Sequence, residues 1–253
     1  MGVCWYLMRG KVYEIFRDGR RVERTGIHRS PAALGRGTRD GLDPRKSRGY
    51  VVTLFTSRSS SMHTAAIRSF IALYPDAGAR GHMAAYIAAL AERLPAVKWE
   101  KESQIHITLK FLGDQEAATL NAIARELDVA LRGSGIVEEM LDHVGAFPNA
   151  RRPRIIWTGF ATPPQRILAL QRAVEDVCAA HGIMRDDKRF TPHFTIGRVK
   201  DSRDAGDLEN ELRLVRFMST SVTSQAVRVM ESTLTPRGAI HKERASINLQ
   251  PGE

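Results

Sequence analysis

With 253 residues, the chain is long enough to bury a sizeable core. Its 43% hydrophobic content is ordinary for a globular protein, and no apolar run approaches the roughly 20 residues that span a bilayer. The net charge of +10 is uneven: residues 1–61 hold 13 Lys and Arg against 5 Asp and Glu, while residues 62–253 hold 25 against 23. The basic total is therefore no argument that the main body binds nucleic acid.

The first residues lack the apolar stretch and small-residue cleavage site of a secretory signal, and Tyr6 stands where a myristoylation signal wants Ser or Thr. Two cysteines, Cys4 and Cys178, suggest no disulfide framework. A reducing, cytoplasmic setting is expected.

In chain order, residues 12–16 and 20–24 flank Asp18-Gly19 and predict a hairpin. Residues 25–61 are rich in Arg, Gly, Ser and Pro, a composition that predicts mostly disorder. Residues 1–61 thus read as a basic extension: a dispensable arm, the product of an upstream start with Met62 the natural one, or an aid to RNA encounter. Residues 62–253 read as the main domain.

A strand is predicted at 67–73, then a helix at 82–94 with Met83, Tyr86, Ile87, Leu90 and Leu94 on one face. A strand at 104–112 is followed by a helix capped by Asp114, with Leu120, Ile123, Ala124, Leu127 and Leu131 in one stripe. Strands follow at 140–147 and 154–160. A helix at 164–181 turns Ile167, Leu170, Val174, Val177 and Cys178 inward and ends at Gly182. Further strands are predicted at 192–199, 225–233 and 245–249.

Two stretches carry the chemistry: His106-Ile107-Thr108-Leu109 and His193-Phe194-Thr195-Ile196. Alternate side chains of a strand point to opposite faces, so each His shares a face with its Thr while the apolar pair packs beneath. Imidazole titrates near 6.5 and can act as base or acid close to neutral pH. Breaking a P–O bond with water needs both roles, each worth about 10²–10⁴ in rate. The hydroxyls of Thr108 and Thr195 can donate to non-bridging phosphate oxygens.

The motifs are 87 residues apart. The same offset carries the strand 67–73 onto 154–160, the helix 82–94 into 164–181, and the strand near 140–146 onto 227–233. Matching order and spacing argues for duplication, and a pseudo-two-fold would set the motif strands opposite each other.

The segments His106 to Gly113 (HITLKFLG) and Thr191 to Arg198 (TPHFTIGR) resemble the two signatures of the 2H phosphoesterases. They are most similar to the RNA 2′,3′-cyclic phosphodiesterase group, also called 2′-5′ RNA ligases. Residues 67–73, 145–148, 153–157 and 231–238 resemble that group too, so the likeness spans about 67–249. The resemblance implies an α+β, bilobal fold: two pseudo-symmetric lobes, each with an antiparallel sheet and helices, around a central cleft. It implies hydrolysis of a 2′,3′-cyclic phosphate on RNA to a 2′-phosphomonoester, with His106 as proton donor and His193 as acceptor. The residues alone leave those two roles interchangeable. His241 stands where the resemblance leads one to expect an aromatic, usually Tyr.

Lys110 shares strand parity with His106 and Thr108 and is a phosphate candidate. Arg198, five residues past His193, reaches the same face only if the strand bends at Gly197. Arg154 is a candidate for the phosphate backbone. Phe190 and Trp157 are candidates for stacking on a base, with core packing the preferred reading for Trp157. His28, His63, His82, His143 and His181 read as structural or surface residues, and Cys178 as an inert core thiol.

No metal is expected, since threonine is not a zinc ligand and no Cys or Asp lies close to either motif in helpful spacing except Asp186 and Asp187. There is no Gly-x-Ser-x-Gly, P-loop or dinucleotide-binding glycine pattern, so no cofactor is expected. A monomer acting on RNA, with no membrane, is the expectation. The alternatives are the reverse reaction, 2′-5′ RNA ligation, and an RNA-binding module without turnover.

Overall fold

The computed structural model describes residues 4–8, 11–15, 21–23, 66–236 and 238–250. The chain divides into two units, 1–59 and 60–253. In the first, β1 (Cys4–Met8), β2 (Lys11–Ile15) and β3 (Arg21–Glu23) form an antiparallel sheet in that order. The expected hairpin is its β2–β3 pair, with Glu14 opposite Val22. Its Asp18-Gly19 turn and the segment 25–61 lie outside the described residues.

The second unit begins with β4 (Ile67–Leu73) and α1 (Ala77–Arg93). The helix starts earlier than its periodicity predicts, because Gly78 and Gly81 dilute the first turns. Asp76 caps it: one carboxylate oxygen accepts from Ala79 N at 3.0 Å, the other from Thr223 N at 2.8 Å. Met83, Tyr86, Ile87, Leu90 and Leu94 are all buried, as the spacing predicts.

The two-residue β5 (Lys98–Trp99) leads through a 3₁₀ turn to β6 (Ile107–Gln115). Asp114 is not the cap of the next helix. β6 keeps pairing with β4 as far as Ile67 opposite Gln115, so ladder hydrogen bonds override the local signal, and α2 (Ala117–Ala130) starts beyond Glu116. Its stripe of Leu120, Ile123, Leu127 and Leu131 is buried, with Ala124 packed beside it.

The predicted strand 140–147 is two strands, β7 (Val137–Leu141) and β8 (His143–Phe147), serving different sheets. Then come β9 (Ile155–Gly159), α3 (Gln165–Ala180), β10 (His193–Arg198), α4 (Leu208–Leu214), β11 (Thr220–Ser224), β12 (Ala226–Thr235) and β13 (Gly238–Asn248). Gly182 ends α3 at φ +76°, a conformation that favours glycine. The sequence reading missed β1, β5, α4 and β11, all short.

Two four-stranded antiparallel sheets result, β13-β12-β4-β6 and β5-β10-β9-β8, with β11 and β7 paired separately. The duplicated order β-α-β-α-β-β is visible in both halves, but the halves exchange strands. β12, from the second half, completes the sheet of β4 and β6; β8, from the first, completes that of β9 and β10. The lobes are therefore not the sequence halves. The main core runs from α1 and α2 to α3 and is lined by Ile71, Leu73, Ile107, Leu109, Phe194 and Ile196. A smaller apolar cluster of Phe70, Ala72 and Met230, with Tyr74 beside it, lies apart from it.

Candidate active site

His106 stands immediately before β6, and His193 is the first residue of β10. Ile107, Leu109, Phe194 and Ile196 are buried, while His106, Thr108, His193 and Thr195 are half-buried. The alternation that places His and Thr on one face holds in both strands. β6 and β10 also touch each other.

Each imidazole is held in the same way. His106 Nδ1 lies 2.7 Å from the carbonyl of Gln104, and His193 Nδ1 lies 2.7 Å from the carbonyl of Thr191. A carbonyl can only accept, so Nδ1 carries the hydrogen in both rings. Nε2 is then the free atom of each: a lone pair in the neutral ring, a donor in the charged one. The two tethers have identical spacing, each to the carbonyl two residues upstream.

The surroundings of the two rings differ. Phe70 stacks on His106 at 5.0 Å between centroids, Tyr74 lies at 5.3 Å, and His241 presents its edge at 5.4 Å. His193 meets the edge of Phe147 at 4.9 Å and Trp157 at 6.2 Å. Burial holds His106 down at about 4; the Gln104 carbonyl opposes this, and His241, Arg198 and His193 push further down. His193 and Arg198 are near enough to His106 to bear on it electrostatically. Burial lowers His193 as well, helped by Arg198 and opposed by the Thr191 carbonyl. Both rings are neutral at pH 7 in the free protein.

The motif strands carry matching β-bulges. Ala72 pairs with Thr108 and Ile71 with Lys110, leaving Leu109 as the extra residue. Trp157 pairs with Thr195 and Ile156 with Gly197, leaving Ile196 extra. The offset of 87 holds for these bulges, whereas the residues opposite the threonines, Ala72 and Trp157, are 85 apart. A bulge reverses the parity of everything beyond it.

Lys110 is corrected on this ground. It does not face a phosphate: it is 1% exposed, with Nζ 3.0 Å from Glu175 Oε2 and 3.2 Å from Asp186 Oδ1, and donates to Met184 O at 2.8 Å. Phe111 takes its place on the open face, 67% exposed and 6.3 Å from Phe70. In β10 the same irregularity supplies the bend at Gly197. Arg198 comes within electrostatic reach of His106, His193 and His241, its Nε donating to Glu100 Oε1 at 2.7 Å.

The sequence profile of the 2′-5′ RNA ligase superfamily matches residues 68–233. The chain is a member of the 2′-5′ RNA ligase superfamily. The resemblance of its two motifs to the 2H phosphoesterases has the same origin. This superfamily member is 32% identical over 180 residues to the RNA 2′,3′-cyclic phosphodiesterase of Methanothermobacter thermautotrophicus, covering 70% of this chain and 96% of that one. It is 30% identical over 176 residues to the protein of the same name from Thermotoga maritima, covering 70% and 92%. Its fold is that of TT0787 of Thermus thermophilus (TM-score 0.61, 20% identity, 74% of this chain and 100% of the other). Escherichia coli LigT in its apo form is also similar (TM-score 0.59, 19% identity, 74% and 99%).

In this superfamily member the other predicted residues sort as follows. Arg154 is exposed at the start of β9, the Arg198 end of that strand pair, and donates to Lys200 O at 3.0 Å. Phe190 packs against the core and, among the described residues, makes no ring contact with either histidine. Trp157, read from sequence as core, instead stacks on Phe147 at 5.2 Å beside His193. Cys178 is buried, and burial pushes its thiol up to about 12. The described residues gather no group of three or more His, Cys, Asp and Glu for a metal ion, and none of their helices is long and apolar enough to cross a membrane. Phe111, Phe147 and Tyr74 were missed; a bulge leaves no mark in single-sequence periodicity, and β8 reaches His193 only through strand exchange.

Proposed function

We propose that this protein hydrolyses the 2′,3′-cyclic phosphate ends of RNA to 2′-phosphomonoesters without a metal ion, with His106 as proton donor and His193 as proton acceptor. The observation that carries this reading is the pair of Nδ1–H tethers, which leaves two free Nε2 atoms at one site. The names and identities of the archaeal and bacterial relatives support it.

In the reaction, His193 Nε2 takes a proton from water as the water oxygen bonds to phosphorus. His106, protonated at Nε2, gives its proton to O3′ as the P–O3′ bond breaks. The phosphate remains on O2′, and exchange with solvent restores both rings. Thr108 and Thr195 donate to the non-bridging oxygens, and Arg198 balances their charge. A ring held near 4 is a strong acid once charged, and the arriving phosphate anion favours that charged form. The exposed ring of Phe111 offers a surface on which the terminal base can stack. The catalytic domain in this reading is 62–253, acting as a cytoplasmic monomer, with 1–61 a basic arm that a chain starting at Met62 would dispense with.

The test is turnover of a nucleoside 2′,3′-cyclic phosphate in EDTA, with the product phosphate mapped by phosphorus NMR. A 2′-phosphate is expected. His106→Gln and His193→Gln should each lower kcat by about 10²–10⁴ while the protein stays folded. A 3′-phosphate product, or turnover that survives both changes, overturns the mechanism. RNA binding without turnover favours the non-catalytic alternative, and joining of two RNA ends favours the ligase direction.

A further inference from the structure

Lys98 is a cation without a partner at the edge of the histidine site. In β5 it stands directly opposite Arg198 of β10, so the two side chains share a face of the sheet. Trp99, the other residue of β5, packs against the core and fixes which way the strand faces. Residues level across an antiparallel ladder have Cβ atoms about 4.5–5.5 Å apart, and like charges placed there destabilise the pair. Glu100 relieves Arg198, its Oε1 accepting from Nε at 2.7 Å. Lys98 is exposed and has no hydrogen bond or ion pair among the described residues. Packing gives no reason for a second cation at this position.

The ammonium lies on the His106 side of the site. A Cβ on Gly238 would stand 3.5 Å from Nζ, which places Nζ against the start of β13. Gly238 has φ +128°, a conformation that side chains rarely adopt, so the turn that reaches Nζ depends on glycine. The next carbonyl, of Ala239, accepts from Gln104 Nε2, and the carbonyl of Gln104 itself holds His106 Nδ1. Two residues further on, His241 meets the His106 ring at 5.4 Å. A short path of contacts thus joins Lys98 to the proposed acid. In the hydrolytic reading His106 protonates O3′, so the ribose bearing O3′ and the phosphate on its O5′ extend on this same side. A terminal cyclic phosphate has that phosphate as its one neighbour in the chain. Arg198 and Glu100 offset each other, which leaves the Lys98 charge for a second anion. An ammonium on a flexible stem, with three donors, suits a phosphodiester.

We propose that Lys98 binds the phosphodiester on the 5′ side of the reacting nucleotide, so that the protein favours the ends of RNA chains over free cyclic mononucleotides. The proposal rests on the cyclic-phosphate reading of the two histidines. Lys98 is a specificity residue here and touches no reacting atom.

The experiment uses the full chain at 150 mM salt. Steady-state kinetics compare uridine 2′,3′-cyclic phosphate with the same molecule carrying a 5′-phosphate, two substrates that differ in that group alone. The 5′-phosphate should lower KM about three- to tenfold, as an exposed charge-assisted contact would, with little change in kcat. Lys98→Met should erase this gain, Lys98→Arg should keep most of it, and 500 mM salt should shrink it. Lys98→Met should not lower the melting temperature, because it removes a like-charge pair; a lower one would show a structural role and count against the proposal. Calorimetric binding of uridine 2′-phosphate and uridine 2′,5′-bisphosphate makes the same comparison without turnover. A preference for the bisphosphate that depends on Lys98, in a protein that hydrolyses neither substrate, supports the subsite and counts only against the hydrolytic reading. Equal affinity for the two ligands overturns the proposal. So does a preference that survives Lys98→Met, as it would if Arg198 or the basic residues 1–61 supplied it.

Discussion

Replacing Lys110 with Met separates a structural cation from a phosphate-binding one. The side chain is 1% exposed and Glu175, 3.0 Å away, is 7% exposed, so the substitution strands a buried carboxylate. Breaking a buried pair from one side costs about 3–5 kcal/mol. Asp186, 3.2 Å from Nζ but 57% exposed, adds under about 1 kcal/mol. A domain of this size loses about 2–4 °C of Tm per kcal/mol, so Lys110→Met should melt roughly 6–20 °C lower. Lys110→Met/Glu175→Met should recover most of that loss, because an apolar pair of similar volume replaces a buried ion pair at little cost. Activity should not recover with it. Nζ also donates to Met184 O, at the head of the loop that ends in Thr191, whose carbonyl holds His193. Thermal denaturation with kcat and KM on the two variants decides the matter. A Lys110→Met protein with a Tm within 2 °C of the parent and a raised KM would refute the reasoning and return Lys110 to the phosphate.

Three further outcomes are expected. The proposed mechanism needs one proton across the histidine pair, and burial lowers the pKa of both rings in the free protein. kcat/KM should therefore fall between pH 6 and 8, toward tenfold per unit, whereas kcat, measured with phosphate anion bound, should decline at higher pH; a flat kcat/KM profile counts against the pairing. The folded state binds the His106 proton more weakly than the unfolded chain, near 6.5. Stability should thus be lost as pH falls from 6.5 through about 4, by about 3 kcal/mol, and urea melts of His106→Gln should lose much of that dependence. Gly145→Ala places a methyl group 2.5 Å from the rigid indole of Trp157 and should cost about 1–3 kcal/mol in a denaturant melt, with kcat reduced through His193.

Much of the site was legible because its information is local. His-x-Thr on a strand states a shared face with no knowledge of the partner strand, and Ile107, Leu109, Phe194 and Ile196 are buried as that face requires. Helix stripes such as Leu120, Ile123 and Leu127 are equally local. The reading stopped where hydrogen bonding to a distant strand outweighs local preference. Asp114 looks like a cap and is held in β6 by pairing with β4. Residues 140–147 look continuous and are divided because β7 pairs with β11 and β8 with β9.

From sequence alone came two duplicated strands, each with an imidazole and a hydroxyl on one side, because the two-residue period of a strand is a property of the backbone. Tertiary structure alone decided which neighbours those groups keep. A single extra residue in the ladder between β4 and β6 sends Lys110 to Glu175 and brings Phe111 to the open face. Its counterpart between β9 and β10 turns Arg198 toward the histidines, and the exchange of β8 and β12 brings Phe147 to His193. Register and strand exchange depend on contacts between residues far apart in the chain, and no local spacing encodes them.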